Sequence, residues 1–337
     1  MMRHIALRAM FALTLGLFLT ATAHAQLFRT YIAPDGNDGN PCTLAAPCRL
    51  LPAALAAVID GGEIWMLGSA NYNTGPVNIA KSVTILAVPG ALGSVVAIGG
   101  NAIDIATASV KVSLRNLVIV PFIGGGGVNG INMTAGTSLT VENCLIANLP
   151  GTGIIANGVM NVLVTDSTVR GNGNRGMSVL NGARATVTRT TVSGNTNTGI
   201  VVQGISASTT TTADIADSTM STNNFGVYAQ SSNASAVVKV SVRDSRAVGN
   251  VSFGVVADSN AGASVNVSAS NNIISNNNTG IYAASPGVRV WASGNTVSDN
   301  VTGLSNSNSA LIESAGDNAV RNNTTQTTGT ITPIAKM

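Results

Sequence analysis

The sequence predicts an all-β protein. Its expected form is a right-handed parallel β-helix, a solenoid of about eleven coils of roughly 23 residues, with a short N-terminal capping helix. Three observations carry this expectation. A Gly-aliphatic step recurs at Gly130, Gly153, Gly176, Gly199, Gly226, Gly254, Gly280 and Gly303, at intervals of 23, 23, 23, 27, 28, 26 and 23 residues. A β-branched column runs in step with it through Val141, Val164, Val187, Ile215, Val242, Val267 and Val290. An Asn precedes each glycine from the second onward, at Asn148, Asn172, Asn195, Asn223, Asn250, Asn276 and Asn300.

The chain ends bound what the repeat can be. Arg3 and Arg8, an apolar run from Ala9 to Leu19, and Ala23-His24-Ala25 read as a signal peptide over residues 1–25, cut after Ala25. The expected product is secreted or periplasmic, with no transmembrane segment after cleavage. Both histidines, His4 and His24, leave with the signal. So do two of the 17 basic residues, which leaves 15 against 14 acidic ones. A near-neutral chain lacks the basic stripe that phosphate binding requires, which excludes a nucleic-acid binder.

In an oxidising compartment Cys42 and Cys48, six residues apart, are expected to form a disulfide. They fall in an N-terminal cap, residues 26–62, that also holds the helix expected at residues 50–60. Pro52 suits its first turn, Gly61-Gly62 its stop, and Leu51, Leu55, Val58 and Ile59 would cover the first coil. Coils are expected over residues 63–323 and a polar tail over 324–337, giving a rod on the order of 50 Å long.

Within each coil the strands are short, rich in β-branched residues and punctuated by Gly and Asn, which excludes helical repeats. A transmembrane barrel would need aromatic girdles, but aromatic residues are 4% of the chain. Alternation places Ile154 with Ala156, and Met177 with Val179, inward. A small-residue column follows: Cys144, Ser167, Thr190, Ser218 and Ser245. Cys144 then reads as a buried filler, since a nucleophile needs a base and the mature chain has no histidine. Stacked Asn side chains can bond one another along the column, and the glycines free φ where the chain bends inward.

Several residues resemble a bacterial branch of the pectate-lyase-like β-helix superfamily. They are Tyr31 to Asp38, the Pro41-Cys42 to Pro47-Cys48 loop, Ala53-Ala54, Gly61 to Ile64, Lys81 to Ile85, and the Leu-x-Val-Glu-Asn-Cys stretch ending at Cys144. The resemblance covers nearly the whole mature chain. It implies the β-helix fold and, through relatives in the superfamily, action on acidic polysaccharide. The catalytic patterns of those relatives are not in this sequence. No Gly-His-Gly with paired aspartates, no Arg-x-Pro-x-x-Arg and no Asp-Pro-His-Asp occurs.

Candidate site residues are therefore read from outward positions. Asn143, Asp166, Arg189, Asp217 and Asp244 share one turn column, where Asp217 and Asp244 are candidates to share a calcium ion. Turn chemistry alone also accounts for Asp and Asn there, with Arg189 balancing their charge. Arg170, Arg175 and Arg184 lie close to Arg189 in sequence and are candidates to receive a polyanion. Tyr228, Tyr282 and Trp291 are expected to face outward as sugar platforms. The expected function is a secreted protein that binds or acts on an extended acidic polysaccharide along one face, lyase-like if it is an enzyme. The alternative is a non-catalytic structural or adhesive surface module.

Overall fold

The computed structural model describes residues 27–260 and 262–335. The signal peptide and its cleavage site lie outside the described residues. Three parallel sheets wind around one core. Sheet A has thirteen strands, from Leu27–Ile32 to Ile331–Pro333; sheets B and C have eleven each, from Ala70–Asn71 to Ala319–Arg321 and from Val77–Asn78 to Thr325–Thr328. Each coil contributes one strand to each sheet, which gives the solenoid of about eleven turns. No helix among the described residues is long and apolar enough to cross a membrane.

Each coil hides its inward side chains only by stacking on its neighbours, so register decides burial. Val141, Val164, Val187, Ile215 and Val242 pair in succession and are at most 1% exposed. The column then continues through Ala269 and Ala292. Val267 and Val290, expected in it, belong to the neighbouring inward column of Leu139, Val162, Ala185, Ala213 and Val240. The slip is two residues, which preserves facing, because alternate residues of a strand share a side.

The capping helix is shorter than expected. It spans Leu51–Ala57 and buries Leu51, Ala54 and Leu55. Val58 already starts the strand Val58–Met66, which runs through Gly61 and Gly62 and pairs with Leu27–Ile32. The β-branched pair Val58-Ile59 favours strand over helix, so the glycines bend a strand instead of stopping a helix. At the other end Thr325–Thr328 and Ile331–Pro333 extend sheets C and A, so the expected polar tail is one more turn of the spiral.

Two columns of polar side chains line the corners. Asn172, Asn195, Asn223, Asn250, Asn277, Asn300 and Asn323 form one, each Nδ2 donating to the next Oδ1 at 2.8–3.3 Å. Asn148 and Asn276 stand one residue before it, in left-handed backbone at φ 62° and 58°. In the second, Cys144, Ser167, Thr190, Ser218 and Ser245 lead into Asn272, Asn295 and Asn318, where each backbone N–H donates to the next coil's side chain. Cys144 opens that column: its Sγ accepts from the Leu117 N–H at 3.4 Å, and burial pushes the thiol up to about 11.

The repeated glycines answer a different need from the one expected. They do not adopt positive φ; a Cβ at Gly199 would come within 2.6 Å of the Gly226 carbonyl oxygen, and one at Gly254 within 2.7 Å of that of Gly280. Close approach between coils selects glycine here.

Candidate functional site

Three surfaces collect the outward side chains. On sheet A the outermost column reads Lys111, Ser138, Asn161, Arg184, Thr212, Lys239, Asn266, Arg289 and Leu311. Four cations stand in it and no carboxylate. Coils about 4.8 Å apart put Lys111 about 14 Å from Arg184, with Lys239 and Arg289 following at steps of about 10 Å. Beside the column runs an open groove of about 850 Å³ that includes Arg184, Lys239, Asn266 and Trp291. Lys111, Arg184 and Lys239 form no ion pair among the described residues. Asp214, the carboxylate in the groove, lies 3.4 Å from Arg243, and Arg289 stands 5.8 Å above the Trp291 ring and 3.8 Å from Glu313.

The corner between sheets A and B holds the turn column. Asn143, Asp166, Arg189, Asp217 and Asp244 all adopt left-handed backbone, φ 46–52°. Asn and Asp tolerate that region far better than other side chains do, so the turn itself selects them. Arg189 is the exception. It donates twice to Asp166, at 2.7 and 2.8 Å, and once to Thr165 Oγ1. That bond holds the Asp166 carboxyl below its ordinary value. Asp217 and Asp244 occupy successive coils, and Arg243 approaches Asp244 to 3.8 Å. No group of three or more carboxylate, thiol or imidazole side chains that could hold a metal occurs among the described residues. The pair would thus supply two carboxylates at most.

The arginines close in sequence are not close in space. Arg170 is exposed on sheet B, Arg175 enters sheet C, Arg184 lines the sheet A groove and Arg189 occupies the A–B corner. A chain that turns a corner every few residues sends neighbours in sequence to different faces. No single polyanion contact can use all four.

On sheet C, Tyr228 and Tyr282 stand two coils apart in one outward column, with Val256 between them. The sequence reading missed Phe225 and Phe253. Phe225 stacks on Phe253 at 5.6 Å, and Phe253 on Tyr282 at 4.9 Å, with planes within 14°. Both faces of Phe253 and one of Tyr282 are therefore spent on other rings, which leaves mainly edges for a ligand. This stack is a poor sugar platform. A Gly-preceding position occupied by Phe in two successive repeats was the signal available in the sequence.

The disulfide between Cys42 and Cys48 is present, with Cα atoms 4.6 Å apart. No curated protein matches this chain. Among solved structures, the A-module of the Azotobacter vinelandii mannuronan C-5 epimerase AlgE4 aligns with TM-score 0.52 at 12% identity, over 82% of this chain and 91% of that one. The AlgE6 A-module of the same organism aligns at 0.51 and 14%, over 85% and 95%. XylC, solved in complex with xylose, aligns at 0.50 and 9%, over 85% and 69%. At such identities the likeness is one of fold. The family model described as the right handed beta helix region matches residues 129–301, which is 173 of 337 residues, and the chain belongs to that family.

Proposed function

We propose that the protein is exported and binds an extended acidic polysaccharide along the outer face of sheet A, with the polymer lying parallel to the rod. The observation that carries this reading is the acid-free column of Lys111, Arg184, Lys239 and Arg289 beside the groove. Cations repeating at whole numbers of coils suit a linear polyanion with regularly spaced charges better than a compact ligand. Trp291 supplies an aromatic side chain at one end of the groove. The epimerase modules that share the fold are named for a polysaccharide substrate, which is compatible with such an occupant.

Export rests on the N-terminal segment and is supported by the Cys42–Cys48 disulfide. The site supports binding more directly than any reaction, because Asp214 already has a cation beside it. The calcium reading of Asp217 and Asp244 reduces to a two-carboxylate site, testable by calorimetric titration; no heat at millimolar calcium removes it.

The test is affinity electrophoresis through gels containing polygalacturonate or alginate, with product analysis for chain cleavage alongside. Retardation that fades with salt, and is abolished by combining Arg184→Glu with Lys239→Glu, is the expected result. Free migration of the folded protein at low salt in every acidic polymer would leave the non-catalytic display module as the better account.

A further inference from the structure

Two outward columns of sheet A face the groove, and their charges follow a rhythm. The outermost column carries cations at Arg184, Lys239 and Arg289, in every second coil, with Thr212 and Asn266 in the coils between. The floor column, two residues further along each strand, reads Thr186, Asp214, Ser241, Ser268, Trp291 and Glu313. Its carboxylates occupy the alternate set of coils. Asp214 stands in the coil between Arg184 and Lys239, and Glu313 in the coil after Arg289. From Arg184 onward the face therefore reads cation, acid, cation, neutral, cation, acid. Lys111, three coils before Arg184, lies outside this rhythm.

Asp214 decides what the rhythm can accept. Its side chain is half-exposed in the groove. Arg243 touches its Oδ2 at 3.4 Å from the side opposite Lys239, and its Oδ1 carries no hydrogen bond among the described residues. Such a carboxylate repels another placed over it, but accepts strongly from hydroxyl groups. An extended pyranose chain advances about as far per sugar as the solenoid does per coil, so sugars and coils can keep step. A polymer with an acid on every sugar either brings a carboxylate against Asp214 or turns it to solvent without a partner. A polymer with an acid on every second sugar sets its carboxylates on the cations and its hydroxyls on Asp214.

We propose that the polymer taken by the sheet A groove is an alternating one, with an acidic sugar at every second position and a neutral sugar between. This inference rests on the sheet A reading and narrows it. Arg184 and Lys239 hold the carboxylates of two acidic sugars, and the neutral sugar between them donates to Asp214. Asn266 offers an amide to the next neutral sugar. Trp291 packs against the ring of the acidic sugar at Arg289, a cation that Glu313 shares at 3.8 Å.

The experiment is affinity electrophoresis of the full-length mature protein, with retardation followed against polymer concentration to give a dissociation constant. Three polymers are compared at equal mass: polygalacturonate, hyaluronan, in which glucuronate alternates with N-acetylglucosamine, and debranched rhamnogalacturonan, in which galacturonate alternates with rhamnose. At least one alternating polymer binds about tenfold tighter than polygalacturonate, against the order of charge density that unspecific attraction follows. Asp214→Asn weakens that polymer about fivefold, through loss of a charged acceptor, and tightens polygalacturonate about threefold, through loss of a repulsion. Polygalacturonate binding tighter than both alternating polymers, or Asp214→Asn moving all three in the same direction, overturns the inference and leaves the sheet A reading standing. Retardation by none of the three removes both.

Discussion

The two halves of the rod fill the same coil in different ways. In the N-terminal coils one of the two inward columns of sheet A reads Ile64, Ile85 and Leu114; by the C-terminal coils it has become Ala269 and Ala292, while its neighbour keeps Val267 and Val290. One column of sheet C tapers likewise, from Ile105 and Met133 to Ala257 and Ala283. Bulk persists elsewhere in the lining, with Ile200, Ile215, Ile281 and Ile312 fully buried in the later coils. The Asn ladder begins at Asn172 and runs to Asn323. Asn73, among the early coils, exchanges bonds with Val96. The later coils thus keep an apolar lining, thinned to alanine in some columns, and add to it a ladder of buried amide bonds.

If so, equivalent lesions should differ between the halves in kind as well as size. The largest effect should come from the lining that both share. Val187, wholly buried midway along the rod, should not tolerate Asp, and Val187→Asp should yield no soluble protein. Normal yield and stability would break the register on which the comparison stands. Next comes Asn250→Ala, which removes the acceptor of the Asn223 backbone N–H and amide, and the donor to the Met220 carbonyl. Several buried groups left unpaired should cost about 4 kcal/mol in chemical denaturation. Asn250→Asp, which keeps the acceptor, should recover part of it. Leu114→Ala, in the half without the ladder, should cost about 3 kcal/mol, and Leu114→Ile much less. A ladder lesion milder than the Leu114 cavity would make the ladder the lesser source of cohesion.

The smallest effect should be at the exposed A–B corner. Arg189→Asn exchanges an ion pair for a residue suited to left-handed backbone, so the melting temperature should hardly move at neutral pH. Because the bond lowers the folded-state pKa of Asp166, its contribution is present above the ordinary carboxylate value of 3.8 and lost as pH falls through the lowered one. The small difference between wild type and Arg189→Asn should therefore change in acid and stay constant from pH 5 to 9. A large loss at neutral pH would mean that the exposed turns carry cohesion which the ladder and the core were thought to supply.

Period and facing were legible in the sequence, because stacking forces the same residue types to recur at each inward position. Phase was less so. Ala269 and Ala292 carry too little signal to hold a column against the valines two places before them, and Asn276-Asn277 offers two candidates for one rung. Glu63 and Trp65 look alike to a sequence pattern whether a strand starts at Val58 or later, so the helix end was overrun. Surfaces were the least legible. Lys111, Arg184, Lys239 and Arg289 are far apart in sequence and join only through pairing across eight coils, whereas Arg170 to Arg189 form a cluster in sequence alone. The Tyr282 ring looked like an open platform because its partner, Phe253, sits in a different column.

The Asn ladder also has a direction. Every Nδ2 from Asn172 to Asn300 donates one hydrogen to the Asn of the following coil, and Asn323 donates one to the Gln326 side-chain oxygen. A missing rung therefore strands two donors on the coil before it, but on the coil after it only leaves an acceptor underused. Orphaned donors are the costlier fault, so damage should travel toward the N-terminus. Hydrogen exchange after loss of Asn250 should be fastest at the preceding amide of Asn223, making the rod a zipper that opens preferentially one way.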